Sequence, residues 1–426
     1  MNARLLLFLA FFSFLSLKAQ TVTGQVRLVN RLGVTSLTYG LTDSAYARVV
    51  DQDRNVSSSV LDTVSVRISS PKEPLGEKIT LTETGVATGI FTGWLRFDAT
   101  GSVAQDGFLQ VNKGQKLTAS YRDPADDFGN VSTVTTSSFY GLTVVPSGSL
   151  QVGSTTTWTL ANSPYLLTGD ILVPRTSKLV IQPGVEVRFK PVTDDLAGGD
   201  DPNRIEIRVE GQLDARGTAT DSIRFISNGD VPASGDWYGV VLKYQYAMMG
   251  GSSNVNGENR LHIAHAVFSH YTQGVLIKNG SFWVQNGRNE DSVVVRNSRF
   301  VFGGSALNND SENRPMVFSH NKLVNCGVLD NSYGQSGYKA FRFNNVINTT
   351  ASTITFQARF TSPNNNYLGE FYVQDNTFEN VNLNLSGSQA YGPQRIWVQR
   401  NTLTKCFSSN SGISLGGDNY YTSGTT

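Results

Sequence analysis

The chain of 426 residues carries 35 Lys plus Arg against 34 Asp plus Glu, a formal charge of +1. That near-neutral field excludes the broad basic face that nucleic-acid binding requires. Charged residues make up 16% and glycine supplies 41 positions, which suits short strands and turns of the extracellular β type, while two cysteines are too few for a disulfide scaffold.

The first residues follow a three-part export plan. Asn2 to Arg4 form a short polar start, Leu5 to Leu17 an apolar run, and Lys18-Ala19-Gln20 a cleavage site after Ala19. The apolar run is shorter than the ~20 residues a membrane span needs. Residues 1–19 are therefore expected to be a signal peptide. No cysteine flanks the cut, which argues against a lipid anchor, so a secreted protein, extracellular or on a bacterial cell surface, is predicted.

From residue 20 to 145 the pattern alternates as half-buried strands do. Ala45 to Val50, Thr63 to Ile68, Lys78 to Leu81, Phe91 to Phe97 and Lys116 to Tyr121 are the clearest runs, each bounded by turn residues. Six or seven strands in this length predict an antiparallel β-sandwich. The stretches Asp51 to Asn55, Asp62 to Val66, Leu81 to Gly93, Asp106 to Val111 and Tyr121 to Pro124 resemble Ig-like repeats of bacterial and archaeal envelope proteins. The resemblance implies a spacer module without catalysis.

A Ser/Gly/Thr-rich stretch, 146–157, reads as a linker. After it come Trp158, Ser163 to Val173, Leu179 to Phe189, Val209 to Thr218, Ile223 to Phe225 and Gly235-Asp236-Trp237 to Leu242. This succession is similar to the opening coils of right-handed β-helix regions in large bacterial surface proteins. The fold class expected is all-β, an Ig-like sandwich followed by a right-handed parallel β-helix over 158–426.

An internal repeat supports the solenoid separately. Val373-Gln-Asp-Asn376-Thr-Phe378 is matched by Val398 to Leu403, Phe318 to Leu323 and Phe341 to Val346, and more loosely by Val295 to Phe300 and Ile263 to Phe268. The copies end at 268, 300, 323, 346, 378 and 403, spacings of 32, 23, 23, 32 and 25 that suit coils with variable loops. Ile263, Val295, Phe318, Phe341, Val373 and Val398 should stack inward as one column. Phe268, Phe300, Leu323, Val346, Phe378 and Leu403 should form a second. Asn321, Asn344, Asn376 and Asn401 should lie over one another at the bend, as a structural ladder whose residues tolerate a left-handed backbone.

Several groups are candidates for chemistry. Cys326 and Cys406 sit at equivalent points three coils apart, about 14 Å at a strand spacing of about 4.8 Å. A disulfide needs Cα atoms within roughly 7 Å, so two free thiols are expected. Asp51, Asp53, Asn55 and Asp62, with Asp123, Asp126 and Asp127 from another loop, offer oxygen ligands for Ca²⁺, although the EF-hand pattern is absent. The run Asp194-Asp195 and Asp200-Asp201 lies in a Gly-rich excursion between coils and reads as a surface loop rather than a metal site. His262 and His265 fall on opposite faces of a strand and, with His270, make no zinc set.

The outward positions of the two best-matched coils are more distinctive. Phe371 and Val373 point in, so Glu370, Tyr372 and Gln374 point out. In the next coil Arg395, Trp397 and Gln399 point out. The register sets Tyr372 beside Trp397, Glu370 beside Arg395 and Gln374 beside Gln399. Aromatic rings flanked by amides and an ion pair suit a sugar ring, which stacks through its C–H face and bonds sideways through hydroxyls.

β-Helix lyases pair Ca²⁺-binding acids with an Arg or Lys base, but no hydrolase signature such as a Gly-His-Gly turn occurs here, and fold alone assigns no activity. The reading expected is a non-catalytic adhesin presenting a glycan- or protein-binding face. A polysaccharide lyase and a purely structural envelope component are the alternatives. The polar tail Tyr420 to Thr426 shows no evident cap, so a further module is expected beyond it.

Overall fold

The computed structural model describes residues 21–101, 103, 105–244, 259–279, 293–310, 316–330, 338–360, 370–389 and 395–406. The predicted signal peptide lies outside them. Among the described residues no helix is long and apolar enough to cross a membrane. The chain divides into two compact units, Met1–Gly141 and Leu142–Thr426.

The first unit is a β-sandwich of nine strands: β1 (Gln25–Val29), β2 (Thr38–Tyr39), β3 (Ser44–Val50), β4 (Thr63–Ser69), β5 (Glu77–Glu83), β6 (Ile90–Asp98), β7 (Phe108–Gln110), β8 (Lys116–Asp123) and β9 (Ser132–Tyr140). They follow the order β1-β3-β6-β5-β4-β8-β9-β2, with β7 on β6. The pairing is antiparallel except for β2 on β9 and β7 on β6, two short parallel additions that alternation could not reveal. Strand alternation explains the core: Ala45, Ala47 and Val49 of β3, Val64, Val66 and Ile68 of β4, and Leu117, Ala119 and Tyr121 of β8 are buried on one shared side.

The second unit is a parallel β-helix. Each complete coil contributes three strands, illustrated by Val293–Arg296, Arg299–Val301 and Ser305–Asp310, followed by Met316–Ser319, Lys322–Val324 and Gly327–Asp330. First strands pair only with first strands in a nine-stranded sheet, and second and third strands stack likewise within a 17-stranded sheet. Both predicted columns are present. Ile263, Val295, Phe318, Phe341, Val373 and Val398 are register partners in succession. Phe268, Phe300, Leu323, Val346, Phe378 and Leu403 are partners in the second. Adjacent rings stack at close to the coil repeat, 4.6 Å for Phe225–Phe268 and 4.8 Å for Phe268–Phe300. Val398 is only half-buried and Leu403 is exposed, both in the last described coil.

The expected linker 146–157 is instead part of the first coil. Gly148–Ser149 pairs with Ile171–Leu172, and Thr155–Trp158 pairs with Lys178–Ile181. A parallel coil needs strands of only two to four residues here, so Ser, Gly and Thr between them read like a tether. The boundary falls at Gly141, which is left-handed at φ +72°.

The asparagine ladder exists, with one correction. Each Oδ1 accepts the backbone N–H one coil earlier: Ser298 N–H to Asn321 at 2.9 Å, Asn321 N–H to Asn344 at 3.0 Å, Asn344 N–H to Asn376 at 2.9 Å and Asn376 N–H to Asn401 at 3.0 Å. Each Nδ2 donates to a carbonyl of the preceding coil, those of Val295, Phe318, Phe341 and Val373. The left-handed residue is not the ladder asparagine but its predecessor: His320, Phe343, Asp375 and Arg400, like Asn297 before Ser298, have φ between +51° and +56°. That twist turns the asparagine side chain inward, where its amide accepts through one atom and donates through another, reaching both an N–H and a carbonyl of the preceding coil. Truncating Asn344 to Ala removes the partner of the buried Asn321 N–H and of the Phe318 carbonyl in the preceding coil. Urea denaturation should show a loss of about 2–4 kcal/mol, against less than ~0.5 kcal/mol for an exposed control such as Thr377→Ala.

Candidate functional site

The strand register expected for the outward patch is present, with Gln374 buried. Glu370–Gln374 lies parallel to Arg395–Gln399 with Tyr372 opposite Trp397 and Gln374 opposite Gln399. Phe371 and Val373 are buried inward. The Tyr372 and Trp397 rings are 7° from parallel with centroids 6.4 Å apart, and Gln374 Nε2 donates to Gln399 Oε1 at 2.9 Å. Glu370 and Arg395 are register partners, but the side chains of that expected ion pair lie outside the described residues.

Two neighbours enlarge the patch. Tyr338 lies 5.3 Å from Tyr372, and the Arg342 guanidinium sits 4.2 Å over Tyr372 and 5.7 Å over Tyr338. One face of Tyr372 is thus already covered by a cation, an arrangement that stabilises both groups. The surface is a seam of three rings with a guanidinium and a paired amide, rather than two open platforms. Its extension was accessible: aligning Phe341 on Val373 places Tyr338 over Glu370 and Arg342 over Gln374.

A second constellation surrounds the Gly-rich excursion. Asp170 precedes the strand Ile171–Val173, and Glu206 opens the strand Glu206–Val209 one coil on. Both stand in the outward phase of their strands, yet Asp170 is 8% exposed and Glu206 0%. Loop 190–204 covers them. Asp194 Oδ1 accepts the Asp170 N–H at 3.0 Å, Asp170 Oδ1 accepts the Glu206 N–H at 2.8 Å, and Glu206 Oε2 accepts the Asp200 N–H at 3.1 Å. Lys243 and Lys278 reach Asp200 Oδ1 at 3.5 and 3.1 Å. Burial, then the neighbouring carboxylates, push Asp170 up to about 6 and Glu206 up to about 7. The acidic run is therefore a folded cover, not only a surface loop. The repeated pattern of an acid before an apolar strand, Asp170-Ile-Leu-Val and Glu206-Ile-Arg-Val, was its one signal.

The proposed Ca²⁺ set is not brought together. Asp51 accepts the Tyr121 hydroxyl at 2.5 Å and the Asp53 N–H at 3.0 Å. Asp53, Asp127 and Asp123 accept the N–H groups of Val22, Thr23 and Gly24 in turn. Asn55 closes the short helical turn Gln52–Arg54, and Asp62 takes the N–H groups of Val56 and Ser57. These carboxylates clasp backbone at turns, the role short acidic side chains have in loops. Among the described residues no three Asp, Glu, His or Cys groups are placed to hold a metal. His262 lies on a strand, while His265 and His270 occupy left-handed turns, with His270 stacked on Phe302.

The solenoid interior holds one polar surprise. Asn309 and Asp330 are fully buried and joined by a 3.3 Å hydrogen bond, and Lys339 follows Met316 in the inward column. Burial lowers the Lys339 pKa, and the charge of Asp330 partly restores it. Cys326 is buried and Cys406 half-buried, both free. The Tyr271 hydroxyl donates to Cys326 Sγ at 3.1 Å, and burial pushes that thiol up. A disulfide-exchange reagent should therefore label Cys406 first and Cys326 only on unfolding. Equal labelling rates in the native protein would contradict this placement.

Residues 151–268 match the model of a family described as a pectate-lyase-like β-helix domain. No match was found among the curated proteins. The matched segment contains Asp170, Glu206 and their covering loop, and ends at Phe268. A domain of this description fits a carbohydrate-related role.

Proposed function

We propose that the chain is a secreted, non-catalytic surface protein that binds an extracellular glycan along the flank of its β-helix, with the N-terminal sandwich serving as an Ig-like spacer. The observation that carries the reading is the seam of Tyr338, Tyr372 and Trp397 with Arg342 and the Gln374–Gln399 pair. Sugar rings contact aromatic carbons through C–H groups, and their hydroxyls take amide and guanidinium partners at the edge. A rigid sheet holds these groups at the coil repeat, so ordering them on binding costs little entropy. Near-neutral overall charge fits recognition by local contacts rather than a long-range field.

The mature chain on a glycan array, with and without Ca²⁺, should show binding that falls at least about fivefold in Tyr372→Ala plus Trp397→Ala, as ~0.5–1.5 kcal/mol per aromatic contact implies. Unchanged circular dichroism would show that the variant is folded. Binding that survives the double substitution, or no glycan bound at all, would remove this reading in favour of a protein partner or a structural role.

A lyase is the second reading, favoured by one observation: buried Asp170 and Glu206 share the matched segment with Lys243. Its burial under loop 190–204 ranks it behind binding, since a polymer needs an open groove. Formation of unsaturated products from acidic polysaccharides, abolished by Glu206→Gln, would reverse that order.

A further inference from the structure

The strongest unassigned arrangement is the acid pair beneath loop 190–204, and it is separate from the aromatic seam. Gly199, left-handed at φ +67°, packs its backbone directly on the two carboxyls. A Cβ at that position would stand 2.5 Å from Glu206 Oε1 and 2.6 Å from Asp170 Oδ2, so the two oxygens lie within about 5.1 Å (2.5 plus 2.6) of each other. Glu206 Oε1 is buried with no hydrogen-bond partner, as is Asp200 Oδ2. Two facing carboxylates out of water repel strongly unless one of them carries a proton.

The loop closes over this pair through bonds that the acids themselves accept. Asp194 receives the N–H groups of Asp170, Leu196 and Gly198, and Glu206 receives that of Asp200. The positive groups nearby are already engaged elsewhere. Arg208 pairs with Glu210 at 2.8 Å, Arg204 with Asp201 at 2.9 Å, and Lys243 and Lys278 with Asp200. Tyr238, packed on the same side, feels only acids. The Arg208 charge partly offsets the burial of both carboxyls, but among the described residues none of these cations bonds to Asp170 or Glu206.

We propose that loop 190–204 is a proton-operated latch: one proton carried by either member of the Asp170–Glu206 pair holds it shut over this flank of the solenoid, and loss of that proton loosens it. The closed state binds the proton more tightly than an open, hydrated one, so closure is favoured at low pH and weakens as pH rises. The window runs from the ordinary carboxylate range to about 7, where Glu206 finally ionises in the closed state. What opening exposes is a strip bearing Asp170 and Glu206, both buried in the closed state.

Hydrogen exchange of the full mature chain, corrected for the intrinsic pH dependence of exchange, should show protection of residues 190–204 falling about tenfold between pH 6 and 8. A peptide from the core of the repeat, such as 316–324, should not change. Glu206→Gln, permanently neutral, should keep the loop protected at pH 8, and Asp170→Asn should do the same. Protection that stays flat across this range in the wild type would overturn the latch. So would a pH dependence that persists in Glu206→Gln. Should that variant fail to fold, the wild-type profile and Asp170→Asn decide the matter.

Discussion

Parallel strands leave each bend with amides that no neighbouring strand can satisfy, and the solenoid depends on how those amides are met. At the bends that carry Asn321, Asn344, Asn376 and Asn401, a left-handed residue swings the next side chain inward, and the asparagine amide then binds an N–H and a carbonyl of the coil before it. Buried backbone groups left unpaired cost about 1–3 kcal/mol each, and this bend recurs in four successive coils from Asn321 to Asn401. Once it is satisfied, the inward columns follow, because a constant bend puts the same position over its predecessor each time. The 4.6–4.8 Å ring spacings in the phenylalanine stack are the packing outcome of that regularity.

Where the chain departs from asparagine, the substitutes show what the position needs. Ser298 Oγ accepts the Ala266 N–H at 3.1 Å and donates to Arg296 O, a shorter link with the same sense. On the far bend Asn348 Oδ1 accepts the Cys326 N–H at 3.0 Å, so an amide reappears at a second corner. The requirement is for a small group with an acceptor, set by the backbone rather than by the residue's own helix or strand preference.

The repeat was legible in the sequence because its signal lies in short segments with a fixed internal distance, Val373 to Phe378 and Val398 to Leu403 among them. The register of Tyr372 on Trp397 followed from it. What escaped were features without a period. Residues 146–157 hid a coil because very short strands carry no alternation. Asp170 and Glu206 are far apart along the chain, and their burial depends on a loop that folds back over them. Lys339 breaks the apolar rule of its own column, and only the buried Asp330 nearby gives that a physical setting. The Asp51 group read as ligands because spacing cannot distinguish carboxylates aimed at a common point from carboxylates each holding its own turn.

The invariant distance between columns has a bearing on how such a molecule can change its length over generations. From Ile263 to Phe268, and in the five later copies, two inward residues are always five positions apart, whereas the way back to the next coil runs from 18 residues (Phe300 to Phe318) to 27 (Val346 to Val373). The variation in coil length thus lies outside the five-residue bend. Duplicating or deleting a whole turn keeps every following side chain on its own side of the wall, while a single residue gained within the five-residue span would turn the remainder inside out. The coil, not the residue, is the unit by which this surface can be extended or trimmed.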